Sequence, residues 1–111
     1  MSKSAIQTDK TVEQIMFVRG KVREYLEKYG KHYIQNFESF SDEELDHVVS
    51  IGTSIVSTRL DIGFPGGSFV QSIVDNNLSG TFASADSINV QCIRFYVMLM
   101  YNLNLDGLYS I

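Results

Sequence analysis

Apolar residues recur at helical spacing in several blocks, each opened or closed by a recognisable polar or glycine signal. Thr11 and Gln14 form a capping box ahead of Val12, Ile15, Val18, Val22, Tyr25, Leu26 and Tyr29. This predicts a first helix over about 12–29, with Gly30 in a left-handed stop position. Residues 31–40 hold Tyr33, Ile34, Phe37 and Phe40 and predict a short helix. Ser41 and Glu44 form a second box, Phe40 can staple onto Leu45, and Asp42, Glu43 and Glu44 lie where the helix dipole favours anions. Leu45, Val48, Val49, Gly52, Ile55, Val56 and Leu60 then make the stripe of a helix over about 42–61, in which Gly52 admits a close neighbour. Gly63 ends it and Pro65 prevents its continuation.

Pro65-Gly66 suits the centre of a type II turn, with proline presetting φ and glycine accepting the positive φ that follows. Ser68 and Gln71 read as a third capping box, predicting a helix over about 69–77 that ends at Asn76-Asn77. Residues 78–85 are too rich in small side chains to assign. Asp86 caps a last helix over about 87–102 that is apolar on nearly every face, the pattern of a buried central element. A strand over 93–101 is the rival, but the uninterrupted length favours helix.

Composition narrows the classes. The chain has 111 residues, 44% apolar and 20% charged, enough for one core without staples. No apolar run is long enough to span a bilayer and no signal-peptide core opens the chain, so a cytoplasmic protein with no membrane partner is expected. The net charge of −4 argues against broad nucleic-acid binding. It is unevenly spread: residues 1–33 carry seven Lys/Arg against four Asp/Glu, and residues 34–62 carry one against six.

The candidate chemistry is modest. A glycine turn opening a helix offers free amides to phosphate or carboxylate, so Gly66, Gly67 and Ser68 are the candidate anion contacts, although the Walker spacing is absent. Arg59 and Arg94 can add counter-charge, and Phe64 or Phe69 can stack on a ligand; surface ion pairs and ordinary packing are the alternatives. Asn76, Asn77, Asp86 and Asn89 either cap and turn the chain or read a ligand. His32 and His47 lack a convergent third ligand, so no metal is expected. Cys92 reads as a small core residue, and with no nucleophile elbow present no enzymatic activity is expected.

Gly63, Pro65, Gly67, Phe69, Asn76, Asn77 and Leu78, followed by Ala85, Asp86, Asn89, Tyr101 and Asn102, form a longer pattern: G-x-P-x-G-x-F, N-[DN]-L, A-D-x-x-N and a final Y-N. In this the stretch from Gly52 to Leu103 resembles a group of small uncharacterised proteins encoded by phages and prophages. That group commonly continues into a Pro-rich, Trp-Gly-containing tail, which the segment from Leu103 to Ile111 does not match. The resemblance implies a phage context and no mechanism. Small phage accessory proteins often act by stoichiometric binding, masking an effector or soaking up a nucleotide signal.

The expectation is therefore an all-α single-domain bundle of four main helices over residues 11–111, with the last helix central, behind a flexible tail at 1–10. A homo-oligomer is expected because Phe17, Tyr33, Phe37, Tyr96, Tyr109 and Ile111 exceed one buried face. The expected function is a non-enzymatic phage-type accessory protein that sequesters a phosphate-bearing nucleotide signal and counters host defence in the host cytoplasm, without cofactor. The alternatives are an inhibitor that covers a basic surface of a host protein with the acidic segment from Ser41 to Asp46, and a structural phage component.

Overall fold

Thr8 caps the first helix: its side chain accepts from the Thr11 amide at 3.1 Å, so the helix begins one turn earlier than the Thr11 box predicts. The computed structural model describes residues 8–111. The expected tail therefore lies mostly outside the described residues, and Asp9 and Lys10 belong to the helix. This helix, α1 (Asp9–Tyr33), buries Val18, Val22 and Leu26, while Val12 stays exposed.

Gly30 does not stop α1. It is buried within the helix, and a Cβ there would stand 2.5 Å from Cε1 of Phe37. Glycine is required at that position because a ring packs on the backbone, and the left-handed residue comes later, at Asn36 (φ 56°). Residues 37–39 form a 3₁₀ turn instead of a longer helix, Phe37–Ser39.

The second helix, α2 (Asp42–Arg59), starts as its sequence dictates. The Ser41 side chain accepts from the Glu44 amide at 3.1 Å, and the Glu44 carboxylate accepts from the Ser41 amide at 2.8 Å. Gly52 faces α1 and the C-terminal helix so closely that a Cβ would meet Val22 and Leu99 at 2.9 Å. α2 ends before Gly63: Asp61 takes the left-handed position (φ 57°), Ile62 N–H bonds Ser57 C=O and Asp61 N–H bonds Thr58 C=O, the double closure of a Schellman motif.

The remaining chain folds into short helices: α3 (Ser68–Val74), α4 (Leu78–Ser84), α5 (Ser87–Gln91) and α6 (Ile93–Asn102). α3 closes on a second Schellman motif with Asn76 left-handed (φ 58°), and Asn77 at once caps α4 by accepting from Gly80 N–H at 2.9 Å. The expected single helix over 87–102 is broken at Cys92, whose amide bonds Asn89 C=O. α6 supplies Phe95, Tyr96 and Leu99, among the largest fully buried side chains, and Leu108 of a final 3₁₀ turn (Leu108–Ser110) joins the same core. α2 packs against α1, α3, α5 and α6. The result is an all-α domain with a Cα radius of gyration of 13.6 Å, the size expected of one folded unit of this length. No helix among the described residues is long and apolar enough to cross a membrane.

Candidate functional site

The glycine turn is built for packing more than for a ligand. Gly66 does not have positive φ, so the predicted type II turn is absent. Its amide donates to Thr58 Oγ1 at 2.9 Å, and a Cβ on it would meet Ser54 Oγ and Val70 Cβ at 2.6 Å. The Ser68 and Gln71 box is also absent: Gly67 is the cap residue, Ser68 is inside α3, and the Gln71 side-chain amide donates to Gly66 C=O at 3.2 Å. Phe69 is buried edge-on against Tyr96 with ring centroids 5.8 Å apart, so it has no face for a ligand, whereas Phe64 is 60% exposed. Gly67 remains open, but α3 has only seven residues and a correspondingly small dipole.

The other sequence candidates are dispersed. The Arg59 guanidinium donates to Met100 C=O at 3.0 Å and lies 4.7 Å from the Tyr101 ring centre, holding the end of α2 to the end of α6. Asp86 caps α5 through Asn89 N–H and stands 3.5 Å from His47 Nε2 on α2. Asn89 is buried and accepts from the Tyr96 hydroxyl at 2.9 Å. Asn76, Asn77, Asp86 and Asn89 are thus engaged in caps, turns and one buried polar pair.

What the fold does assemble lies on the last turns of α1. Tyr25, Tyr29 and Tyr33 recur every fourth residue, with ring centroids 4.7 Å apart for the first pair and 6.4 Å for the second. Lys21 and Lys28 stand on the same helix, and Asn102 to Asn104 at the end of α6 close the opposite wall. Together they line an open recess of about 420 Å³. Lys28 lies 5.4 Å from the Tyr29 ring centre, and Lys21 faces Glu24 at 3.9 Å. Burial, with the neighbouring Tyr33 phenol adding to it, pushes the Tyr25 hydroxyl above the usual phenol range; the Asn102 side chain partly offsets the shift. The hydroxyl is therefore a neutral donor at physiological pH.

A second recess, of about 610 Å³, adjoins the first across Tyr33, which lines both. Leu78 and Phe82 of α4 with Val90 and Ile93 form its apolar wall, and Arg94 stands at the divide, 5.3 Å from the Tyr33 ring centre. Of the candidates read from sequence, only Arg94 lines either recess. The tyrosine ladder was visible as a four-residue spacing with interleaved lysines, but the same spacing also describes a core stripe. The wall from the end of α6 depends on tertiary packing.

Fold and site together define an all-α domain with a tyrosine-lined surface recess. Comparison with protein-family models, curated proteins and solved structures finds no match.

Proposed function

We propose that the protein is a non-enzymatic, phage-type accessory protein that binds a phosphate-bearing nucleotide signal stoichiometrically and counters host defence in the host cytoplasm by sequestering it. The supporting observation is the juxtaposition of Tyr25, Tyr29 and Tyr33 with Lys21 and Lys28 around one open recess. Base stacking on an aromatic side chain is worth about 1–3 kcal/mol and tolerates any base. Lysine ammonium groups supply charge-assisted bonds to phosphate, and the Asn102 and Asn104 side-chain NH₂ groups offer donors to a base edge, the Asn104 oxygen already accepting from the Asp106 amide. A volume of about 420 Å³ lies within the range of small-ligand sites. The recess carries this reading better than the glycine turn, because one turn amide and one turn aromatic are already committed to the fold.

Titration calorimetry against cyclic and linear nucleotides tests it. Binding is expected, and Tyr29→Ala should weaken it by about tenfold or more, the equivalent of one lost stacking contact. Silence across the panel down to millimolar concentration removes the proposal. The second reading rests on Asp42 and Glu43, exposed carboxylates at the start of α2 without an ion pair among the described residues. Nucleotide silence combined with stoichiometric retention of a host protein, lost in Glu43→Lys, would favour that inhibitor instead.

A further inference from the structure

The chain has four arginines, and three of them are engaged. Arg19 donates to Ser50 Oγ, Arg23 pairs with Asp46 at 2.9 Å, and Arg59 donates to Met100 C=O. Arg94 alone has neither a hydrogen-bond acceptor nor a carboxylate among the described residues; it is exposed and lies over the Tyr33 ring. An arginine laid on an aromatic face keeps its edge donors free while its orientation is restricted, which suits it to bidentate capture of a phosphate.

Its position gives that capture a geometry. Tyr33 separates the tyrosine-and-lysine recess from the apolar one, and Arg94 lies at the boundary. An anion held there has an aromatic-lined hollow on each side: the ladder of Tyr25 and Tyr29 on one, and Phe82, 53% exposed, on the other. One singly charged phosphodiester matches the Arg94 guanidinium, while Lys28 remains for a terminal phosphate and Lys21 is paired with Glu24.

We infer that the two recesses form one binding surface for a dinucleotide, with one base among the tyrosines, the other against Phe82, and the linking phosphodiester on Arg94. This deepens the nucleotide reading above and rests on it. A mononucleotide fills only the first recess and never reaches Arg94 or Phe82.

Calorimetry on the full chain with three probes, AMP, the dinucleoside monophosphate ApA and its 5′-phosphorylated form pApA, decides between them. Expected is pApA binding at least about tenfold tighter than AMP, with ApA in between. Arg94→Ala and Phe82→Ala should each weaken pApA about tenfold and leave AMP within about twofold, whereas Tyr29→Ala should weaken all three. Arg94→Lys, which keeps charge but not the planar fork, should recover part of the loss. Arg94 and Phe82 are exposed and Tyr29 is half-buried, and an unchanged thermal unfolding midpoint confirms intact variants. Equal affinities for AMP and pApA, or equal losses of both in Arg94→Ala, overturn the two-module surface and leave the one-recess reading standing. Failure of all three probes to bind overturns the dinucleotide surface, whereas the one-recess reading falls only with silence across the wider nucleotide panel.

Discussion

Cys92 and Tyr96 show how single residues in this core respond to pH. Cys92 is fully buried at the break between α5 and α6, and burial, with Asp86 adding to it, pushes its thiol up to about 12. Tyr96 is likewise fully buried, and the same desolvation raises its hydroxyl well above the phenol range while it donates to Asn89. Both groups are neutral when protonated, and folding raises both. Their contribution is complete below about pH 9, where the unfolded thiol is still protonated, and is lost as pH climbs through the folded values. Urea unfolding between pH 7 and 11 should show stability falling above pH 9, by up to about 1.4 kcal/mol per pH unit for each group in its window. Cys92→Ala should shallow that slope, and an identical slope in this variant would show that the thiol is not responsible.

At the scale of elements, the start of α2 rests on one local device. Ser41→Ala removes the oxygen that accepts from the Glu44 amide, and a loss of about 1 kcal/mol in urea unfolding is expected. No change would mean that water serves the helix start equally well. The capping box was legible because its donors and acceptors lie three residues apart, and the apolar stripes of α1 and α2 were legible for the same local reason. The turn around Pro65 was misread because Gly66 is needed against Ser54 and Val70, a tertiary contact that imitates a turn signal. Gly30 misled in the same way, since Phe37 packs on it. α4 was missed because Ser79, Gly80, Thr81, Ala83 and Ser84 give it little apolar stripe; the Asn77 cap and the packing of α4 against α3 hold it. Of the ligand candidates, the sequence exposed Arg94, which has no acceptor or carboxylate partner among the described residues, but not the hollows it divides. Those hollows arise where α1 meets the end of α6 on one side, and α4 with the α5–α6 junction on the other.

For the whole molecule, the apolar residues needing cover differ from those expected. Tyr96 is fully buried, and Phe17, Tyr33, Phe37 and Ile111 are half-buried against the core; of that set Tyr109 remains exposed. Val12 and Met16, 46% and 67% exposed and one turn apart on α1, form a separate apolar pair away from both recesses. We propose that self-association uses this pair, leaving the ligand surface open. Light scattering of concentrated protein should give a mass above 12.5 kDa that falls toward it in Met16→Glu; a monomer mass for the unaltered chain ends this proposal.

The junction of α3 and α4 bears on how the recess behaves. Asn76 finishes one helix and Asn77 begins the next, so no slack separates the two, and α3 is anchored through buried Phe69, Val70 and Ile73. The wall that carries Leu78 and Phe82 is therefore tied through α3 to the interior. A guest arriving there would find its berth already shaped, and the speed of capture would be set by encounter, not by rearrangement of the host.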